Sequence, residues 1–253
     1  MKAIKQTLFA ALLLFTLSTT AQNYDYSSAV GVHFGFAQTD FRLNSWEPAT
    51  DQTVLVNNPL NGVKFGLVWE ETFIKGFGTM LALNYTFGTY TSKWKSVNDD
   101  MIYPQVKERN NYHQLELAVD WQYKFEIAGS TYIILYTGPT IQAQLALTNT
   151  TFTRTAESET QTSISRFDYD DADMHHDYKR YNVTWGVGAG FQYDRFYIRG
   201  GYDFGLINPY KISNFNEVPA LVKEYGDDYT RYTRGRVDQW HIKLGFFFAQ
   251  FGK

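Results

Sequence analysis

The segment Asp168–Tyr178 holds the densest group of side chains that could bind a metal. Its candidate ligands are carboxylates and two adjacent imidazoles, namely Asp170, Asp171, Asp173, His175, His176 and Asp177. Carboxylate oxygens suit Ca²⁺ and imidazole nitrogens suit Zn²⁺. The segment lacks the glycine and closing glutamate of a calcium loop, and adjacent histidines are not an established zinc spacing. We therefore favour a solvated acidic loop over a metal site, and we expect no cofactor.

A second set of reactive side chains alternates with apolar residues along several segments. Its members carry both signs of charge: Lys64, Glu70, Glu116, Asp120, Lys124, Arg199, Asp203, His241 and Lys243. Charges shielded from water must be paired, so a set with both signs can form a self-neutralising network. The alternative is a narrow path for ions or protons. Whether these residues form a filled network or an open path depends on the fold of the segments that carry them.

Catalysis has weak support in the sequence. His113 with the acidic segment is the only arrangement that suggests a general base near a carboxylate, and no G-x-S-x-G nucleophile motif is present. We expect no enzymatic activity.

Strict two-residue alternation indicates the elements that carry these side chains. In Tyr112–Phe125 the odd positions from Leu115 onward are apolar and the even positions are mostly polar or charged. A strand places such residues on opposite faces, whereas a helix would scatter the charges around its axis. The pattern recurs in eight predicted strands: Ser27–Ala37, Gly62–Glu70, Gly78–Tyr90, Tyr112–Phe125, Thr131–Leu147, Arg180–Tyr193, Arg195–Leu206 and Val237–Phe248.

The connections between the predicted strands alternate in length. The short ones are Glu71–Phe77, Ile127–Ser130 and Asp194, and the long ones are Gln38–Asn61, Thr91–Asn111, Thr148–Lys179 and Ile207–Arg236. Short periplasmic turns, long extracellular loops and an even strand number are typical of outer-membrane barrels. The sequence predicts an all-β fold, an eight-stranded antiparallel transmembrane β-barrel with both termini in the periplasm.

The composition of the two faces predicts which one meets lipid. The polar face is rich in glycine, which suits the crowded interior of a narrow barrel better than a solvent-exposed strand surface. The apolar face carries aromatics near the strand ends, as the girdles at two membrane interfaces do. A soluble lipocalin-like barrel, with the apolar set inside, is the alternative. Pro139 requires a bulge or a rim position within its strand, because it removes a ladder donor.

The first residues have the layout of a secretory signal peptide. Lys2 and Lys5 precede an apolar run, and a small-residue cleavage site ends at Ala21. We expect residues 1–21 to be removed and residues 22–253 to form the barrel domain. The chain has no cysteine, so disulfides and a lipoprotein anchor are not expected. Its net charge is −3 and no basic stripe suggests nucleic acid.

Several segments together resemble the PorT-like outer-membrane β-barrel family. The resemblance lies in YHQLELAVDWQYKF, IAGS, YIILYTGPTIQAQL, WGVGAGFQYDRFYIRGGYDFGLINPY and WHIKLGFFF. It covers nearly the whole chain after Ala21. It implies an eight-stranded barrel in a Bacteroidota-type outer membrane. The namesake of the family is implicated in protein export across that membrane.

The long loops are where we expect the protein to act. They contain exposed aromatics among charged residues, which suit protein or glycan contact: Trp46, Trp94, Phe152, Phe167, Tyr210, Phe215, Tyr225 and Tyr229. These rings could equally fold back on the rim. We predict a non-enzymatic structural or interaction role, with outer-membrane lipid, lipopolysaccharide and a protein at the loops as partners. The alternatives are an accessory role in protein export and a narrow pore.

Overall fold

Eight long strands form the wall of the protein. The computed structural model describes residues 26–43, 59–74, 76–96, 102–165, 177–211 and 235–252. The wall strands are β1 (Ser27–Leu43), β2 (Leu60–Ile74), β3 (Phe77–Thr91), β4 (Gln105–Ala128), β5 (Thr131–Arg154), β6 (Tyr181–Tyr193), β7 (Phe196–Gly205) and β8 (Gly235–Phe251). The described residues contain no helix long and apolar enough to cross a membrane.

Each wall strand pairs antiparallel with the next, and the ring closes between the first strand and the last. The closing pairs run from Ser28 opposite Phe251 to Leu43 opposite Gly235. The β4–β5 pairing completes the ring on the other side. A closed ring leaves no wall strand with an unpaired edge in the region that contacts lipid. The predicted eight-stranded antiparallel barrel is confirmed.

The two faces of the wall differ in exposure as the alternation predicts. Phe34 and Leu244 point outward and are 61% and 62% exposed, whereas Lys64 and Arg199 point inward and are each 1% exposed. An outward apolar band is the surface that an outer-membrane barrel presents to hydrocarbon. The alternative with the apolar set inside does not hold.

Tryptophans on the outward face keep their indole N–H groups satisfied. Trp69 donates to Ser28 Oγ at 2.9 Å, and Trp185 donates to Thr137 Oγ1 at 2.8 Å. Trp240 donates to Gln38 Oε1 at 2.6 Å. These bonds matter because hydrocarbon offers no water to an unpaired donor.

Two wall strands extend well beyond the others. β4 and β5 have 24 residues each, about twice what a tilted strand needs to cross the hydrocarbon. Their outer parts, Gln105–Asn111 and Thr148–Arg154, pair with Lys95–Ser96 on one side and with Glu159–Ser165 on the other. We call these four segments the ridge. The predicted loops Thr91–Asn111 and Thr148–Lys179 are therefore partly β-structure. The sequence did not indicate these strands because strands outside lipid are polar on both faces and lack the apolar alternation.

A tight turn joins β5 to the outermost strand of the ridge. Thr155 and Ser158 close it by a backbone hydrogen bond of 2.8 Å, and Thr155 Oγ1 accepts from the amides of Glu157 and Ser158. Elsewhere on the long-loop side, Asp177–Tyr178 pairs with Tyr210–Lys211.

Pro139 lies inside β5, at an interruption in the pairing with β4. The pairing runs without a shift from Gln114 opposite Gln144 to Ala118 opposite Thr140, and it resumes at Trp121 opposite Thr137. On its other side Pro139 remains paired with Trp185 of β6. The register is unchanged across the interruption, so the missing donor is accommodated by two unpaired positions on β4 rather than by the predicted bulge or rim position.

Candidate functional site

The centre of the lumen is organised by one buried ion pair. Lys64 of β2 donates to Glu116 Oε2 of β4 at 2.6 Å and also to the side-chain oxygen of Gln239 on β8. Glu116 Oε1 accepts from Thr86 Oγ1 at 2.7 Å and from Gln114 Nε2 at 2.9 Å. Both oxygens of the carboxylate are therefore satisfied, as a buried charge requires.

A second ion pair lies nearer the short-turn end. Lys124 donates to Glu70 Oε1 and, at 2.8 Å, to Gln192 Oε1. Gln122 donates to the other oxygen of Glu70 at 2.9 Å. Strands β2, β4 and β6 are thus tied together across the interior.

Arg199 of β7 lies over the ring of a tyrosine inside the barrel. Its Cζ atom is 4.1 Å from the ring centroid of Tyr136, and its guanidinium donates to Gln122 Oε1 at 3.0 Å. Asp120 Oδ2 lies 3.7 Å from Arg199 Nη1. A guanidinium stacks and pairs in this way because it is planar and weakly hydrated.

The remaining predicted lumen residues surround this group. His241 Nδ1 is 3.3 Å from Asp203 Oδ2, and His241 Nε2 is 3.2 Å from the Tyr136 hydroxyl. Lys243 is buried and interacts electrostatically with Asp120 and Asp203. The structure therefore places all nine of the predicted lumen residues inside the barrel.

Formal charge balances within this set of nine. Lys64, Lys124, Arg199 and Lys243 are the cations, and Glu70, Glu116, Asp120 and Asp203 are the carboxylates. The sequence alone did not indicate the neutral partners that complete the network: Gln122, Tyr136, Gln192 and Gln239. Their inward position was readable from the alternation, but their contacts depend on which strands face each other across the lumen.

Two apolar clusters share the lumen with this network. At the long-loop end the cluster is Phe41, Leu60, Tyr112, Leu147 and Val237, each at most 1% exposed. Towards the short-turn end the cluster is Ala29, Val68, Met80, Ala82, Ala118, Tyr197 and Phe247. The first cluster covers the network on the long-loop side, whereas Glu70, Lys124 and Gln192 lie at the level of the second cluster or closer to the short turns.

Interior glycines make room for the rings. A Cβ on Gly201 would meet the Tyr136 hydroxyl and would lie 2.9 Å from the Val187 carbonyl oxygen and 3.2 Å from His241 Nε2. The neighbouring Gly200 faces outward, and its nearest contact would be the His241 carbonyl oxygen at 3.7 Å. The interior is thus packed to van der Waals contact, as expected of eight strands.

The outer face of the ridge carries a different kind of charged group. Lys107 Nζ lies 5.7 Å from the ring centroid of Trp94 and 5.8 Å from that of Phe152. Arg109 lies 5.3 Å from the Phe152 centroid, and Arg154 lies 4.4 Å from the Trp94 centroid. We call these five residues the cation–aromatic cluster. Trp94 and Phe152 were among the predicted contact aromatics, but nothing in the sequence joined them to the cations.

The predicted metal ligands and the predicted general base are not among the nine predicted lumen residues. Asp170, Asp171, Asp173, His175 and His176 lie outside the described residues, and of Asp177 only the backbone is described, opposite Lys211. His113 points away from the lumen, and its Nδ1 is 2.5 Å from the Tyr85 hydroxyl. Its ring also packs against Phe87, at 4.9 Å between centroids. His113 is therefore placed among aromatics on the outward face.

A family model agrees with this architecture. The model described as outer membrane protein beta-barrel domain matches residues 20–210, which is more than half of the chain. The chain belongs to this family. It is an outer-membrane β-barrel protein. The narrower PorT-like assignment stays a prediction, because the matched model describes the broader family.

Two solved barrels are similar to the chain at the level of fold. One is Ail, the attachment invasion locus protein of Yersinia pestis, in complex with the heparin analogue sucrose octasulfate, with 11% identity and a TM-score of 0.39. That match covers 90% of this chain and 99% of Ail. The other is Neisserial surface protein A, with 11% identity, a TM-score of 0.38, and coverage of 88% and 99%. No curated protein sequence matches the chain.

Proposed function

We propose that the protein is a non-enzymatic outer-membrane scaffold with a filled lumen, which acts through the parts of the chain outside the membrane. The observation that carries the proposal is the charge-balanced network of buried ion pairs that fills the lumen below an apolar cluster at the long-loop end. Such an interior stabilises the barrel and offers hydrated ions no open route. The long connections and the ridge are then the parts available to a partner.

Conductance tests the filled lumen directly. We expect the folded chain, inserted in a planar bilayer, to show no steady unitary current. A Glu116→Ala variant is measured beside the wild type, because it removes a carboxylate from the centre of the lumen and should change any current that passes through it. A reproducible unitary level from the wild-type chain, lost in that variant, would establish the narrow pore instead.

Affinity capture tests the interaction role. The full chain, tagged and taken from its native membrane after cross-linking, should retain a partner that is lost when residues 212–234 are replaced by a short Gly-Ser linker. A barrel with Ser130→Ala in the short turn between β4 and β5 is the control. An unchanged partner list for the loop variant contradicts an interaction made by that loop.

The resemblance to the PorT-like family favours one second candidate, an accessory role in protein export. This role also needs contacts outside the membrane and no open lumen. Deletion of the gene should then reduce the proteins recovered in the culture medium, and the Gly-Ser loop variant should fail to restore them. Normal secretion in the deletion strain argues against this candidate.

The position of His113 supports the absence of catalysis. A general base needs a reacting group within hydrogen-bond reach, and the hydrogen-bond partner of His113 among the described residues is Tyr85 on the lipid-facing side. We infer further that residues 1–21 form a cleaved signal peptide; sequencing the N-terminus of the exported chain tests this inference.

A further inference from the structure

We propose that the cation–aromatic cluster on the outer face of the ridge binds the phosphate-bearing sugars of outer-leaflet lipopolysaccharide. This site goes beyond the proposed loop partner, since it lies on the wall of the barrel. The ligand is a lipid headgroup that reaches the protein sideways from the membrane.

The register places the cluster on the lipid-facing side of the wall. Lys107 and Arg109 alternate with inward residues in the same phase as His113 and Leu115 on β4. Phe152 lies directly opposite Lys107 in the β4–β5 pairing. The cluster is therefore a continuation of the surface that contacts hydrocarbon lower down.

The height of the cluster above the membrane fits a sugar headgroup. His113 packs against Tyr85 and Phe87, which belong to the outer aromatic rim. Arg109 and Lys107 follow at four and six residues from His113, roughly 13 and 20 Å along the strand. With the tilt of about 35–45° that barrel strands have, these distances correspond to roughly 10 and 15 Å of height above His113, where we expect the sugars and phosphates of lipopolysaccharide.

The charges of the cluster are mostly uncompensated within the described part of the chain. Lys107 and Arg109 make their described contacts with the rings of Trp94 and Phe152 and with no carboxylate. Arg154 has one carboxylate, Glu159, at 3.0 Å. Cations stacked on aromatic faces keep their charge and their hydrogen-bond donors. Converging cations therefore favour an external anion.

The rings select a sugar headgroup over a simple ion. Trp94 and Phe152 are half-buried under the cations, so they hold the flexible basic side chains in place and add amphipathic surface at the interface. An anion that arrives from the adjacent leaflet meets a preordered basic surface, which lowers the entropy cost of binding.

The test is a binding titration of the full chain folded in detergent micelles with fluorescently labelled lipopolysaccharide that lacks O-antigen. We compare the wild type with Lys107→Gln/Arg109→Gln. The matched control is Lys93→Gln/Lys95→Gln, which removes equal charge from exposed positions beside Trp94. The cluster variant should lose about tenfold or more in affinity and the control about twofold or less. Heat-dependent gel migration verifies that each barrel is folded.

Three further binding measurements test the chemistry and the source of the ligand. The wild type should bind dephosphorylated lipopolysaccharide as weakly as the cluster variant binds the intact form. If the wild type binds both forms with equal affinity, phosphate has no role in the site. The soluble deacylated oligosaccharide should bind more weakly than the lipid; equal affinity overturns the leaflet as the source. The affinity of the wild type for lipopolysaccharide should fall as the salt concentration rises. Binding that does not depend on salt contradicts an ionic site, and this measurement needs no variant to fold.

Discussion

The lumen and the outer face of the ridge both concentrate charge, but they handle it differently. In the lumen four cations face four carboxylates, and Lys64 and Glu116 are each about 1% exposed. On the ridge Lys107, Arg109 and Arg154 lie over two aromatic rings, and Arg154 pairs with the exposed carboxylate of Glu159. Charge neutralised inside the chain stabilises the fold. Charge left open at the surface is available to a ligand.

Removing one partner of the central pair should cause the largest effect. Glu116→Ala leaves Lys64 buried without its carboxylate, so we expect the free energy of unfolding to fall by about 3–5 kcal/mol. Urea titration of the barrel folded in lipid vesicles measures this. Glu126→Ala, an exposed position on the same strand, should change it by less than about 0.5 kcal/mol. Equal stability of the two variants would show that the lumen pair contributes nothing.

Adding a methyl group inside the barrel should have an intermediate effect. Gly201→Ala forces a Cβ against Val187, His241 and the Tyr136 hydroxyl, and we expect a loss of about 1–3 kcal/mol. Gly200→Ala faces outward with room to spare and should change stability by less than about 0.5 kcal/mol. The same urea titration compares them. If both substitutions are neutral, the interior is looser than the structure indicates.

The smallest effect on stability is expected on the ridge. Glu159→Gln removes an exposed salt bridge, so the free energy of unfolding should change by less than about 0.5 kcal/mol. Affinity for lipopolysaccharide should instead rise by about fivefold or less, because Arg154 is released to the ligand. Glu157→Gln at the neighbouring turn is the control for net charge. Weaker binding by Glu159→Gln contradicts the idea that Glu159 competes with the ligand.

The alternation of the wall strands was predictable because lipid on one side and a crowded interior on the other impose it. We expect this pattern to end where the lipid ends, and for that reason the sequence predicts loops where the structure has the paired strands of the ridge. There the outward positions of β4 are Lys107, Arg109 and Asn111, and on β5 Phe152 is separated by threonines from the apolar stretch below, so the alternation is lost. The abundance of threonine in Thr148–Thr155 was the remaining signal, since β-branched residues favour strands.

The contacts of the candidate sites were beyond the sequence for a different reason. Lys64 meets Glu116 two strands away and Gln239 on the last strand, at separations of 52 and 175 residues. Alternation predicts only that such residues point inward. The stagger of the ring decides which of them meet, and this depends on pairing along all eight strands. The cation–aromatic cluster likewise depends on the pairing of Lys107 with Phe152.

The unequal lengths of the wall strands give the molecule a front and a back. β4 and β5 rise on one side, whereas β6 and β7, with 13 and 10 residues, stop lower. A molecule that diffuses in the plane of the membrane therefore meets either the side with the ridge and its cation–aromatic cluster or the lower side formed by β6 and β7.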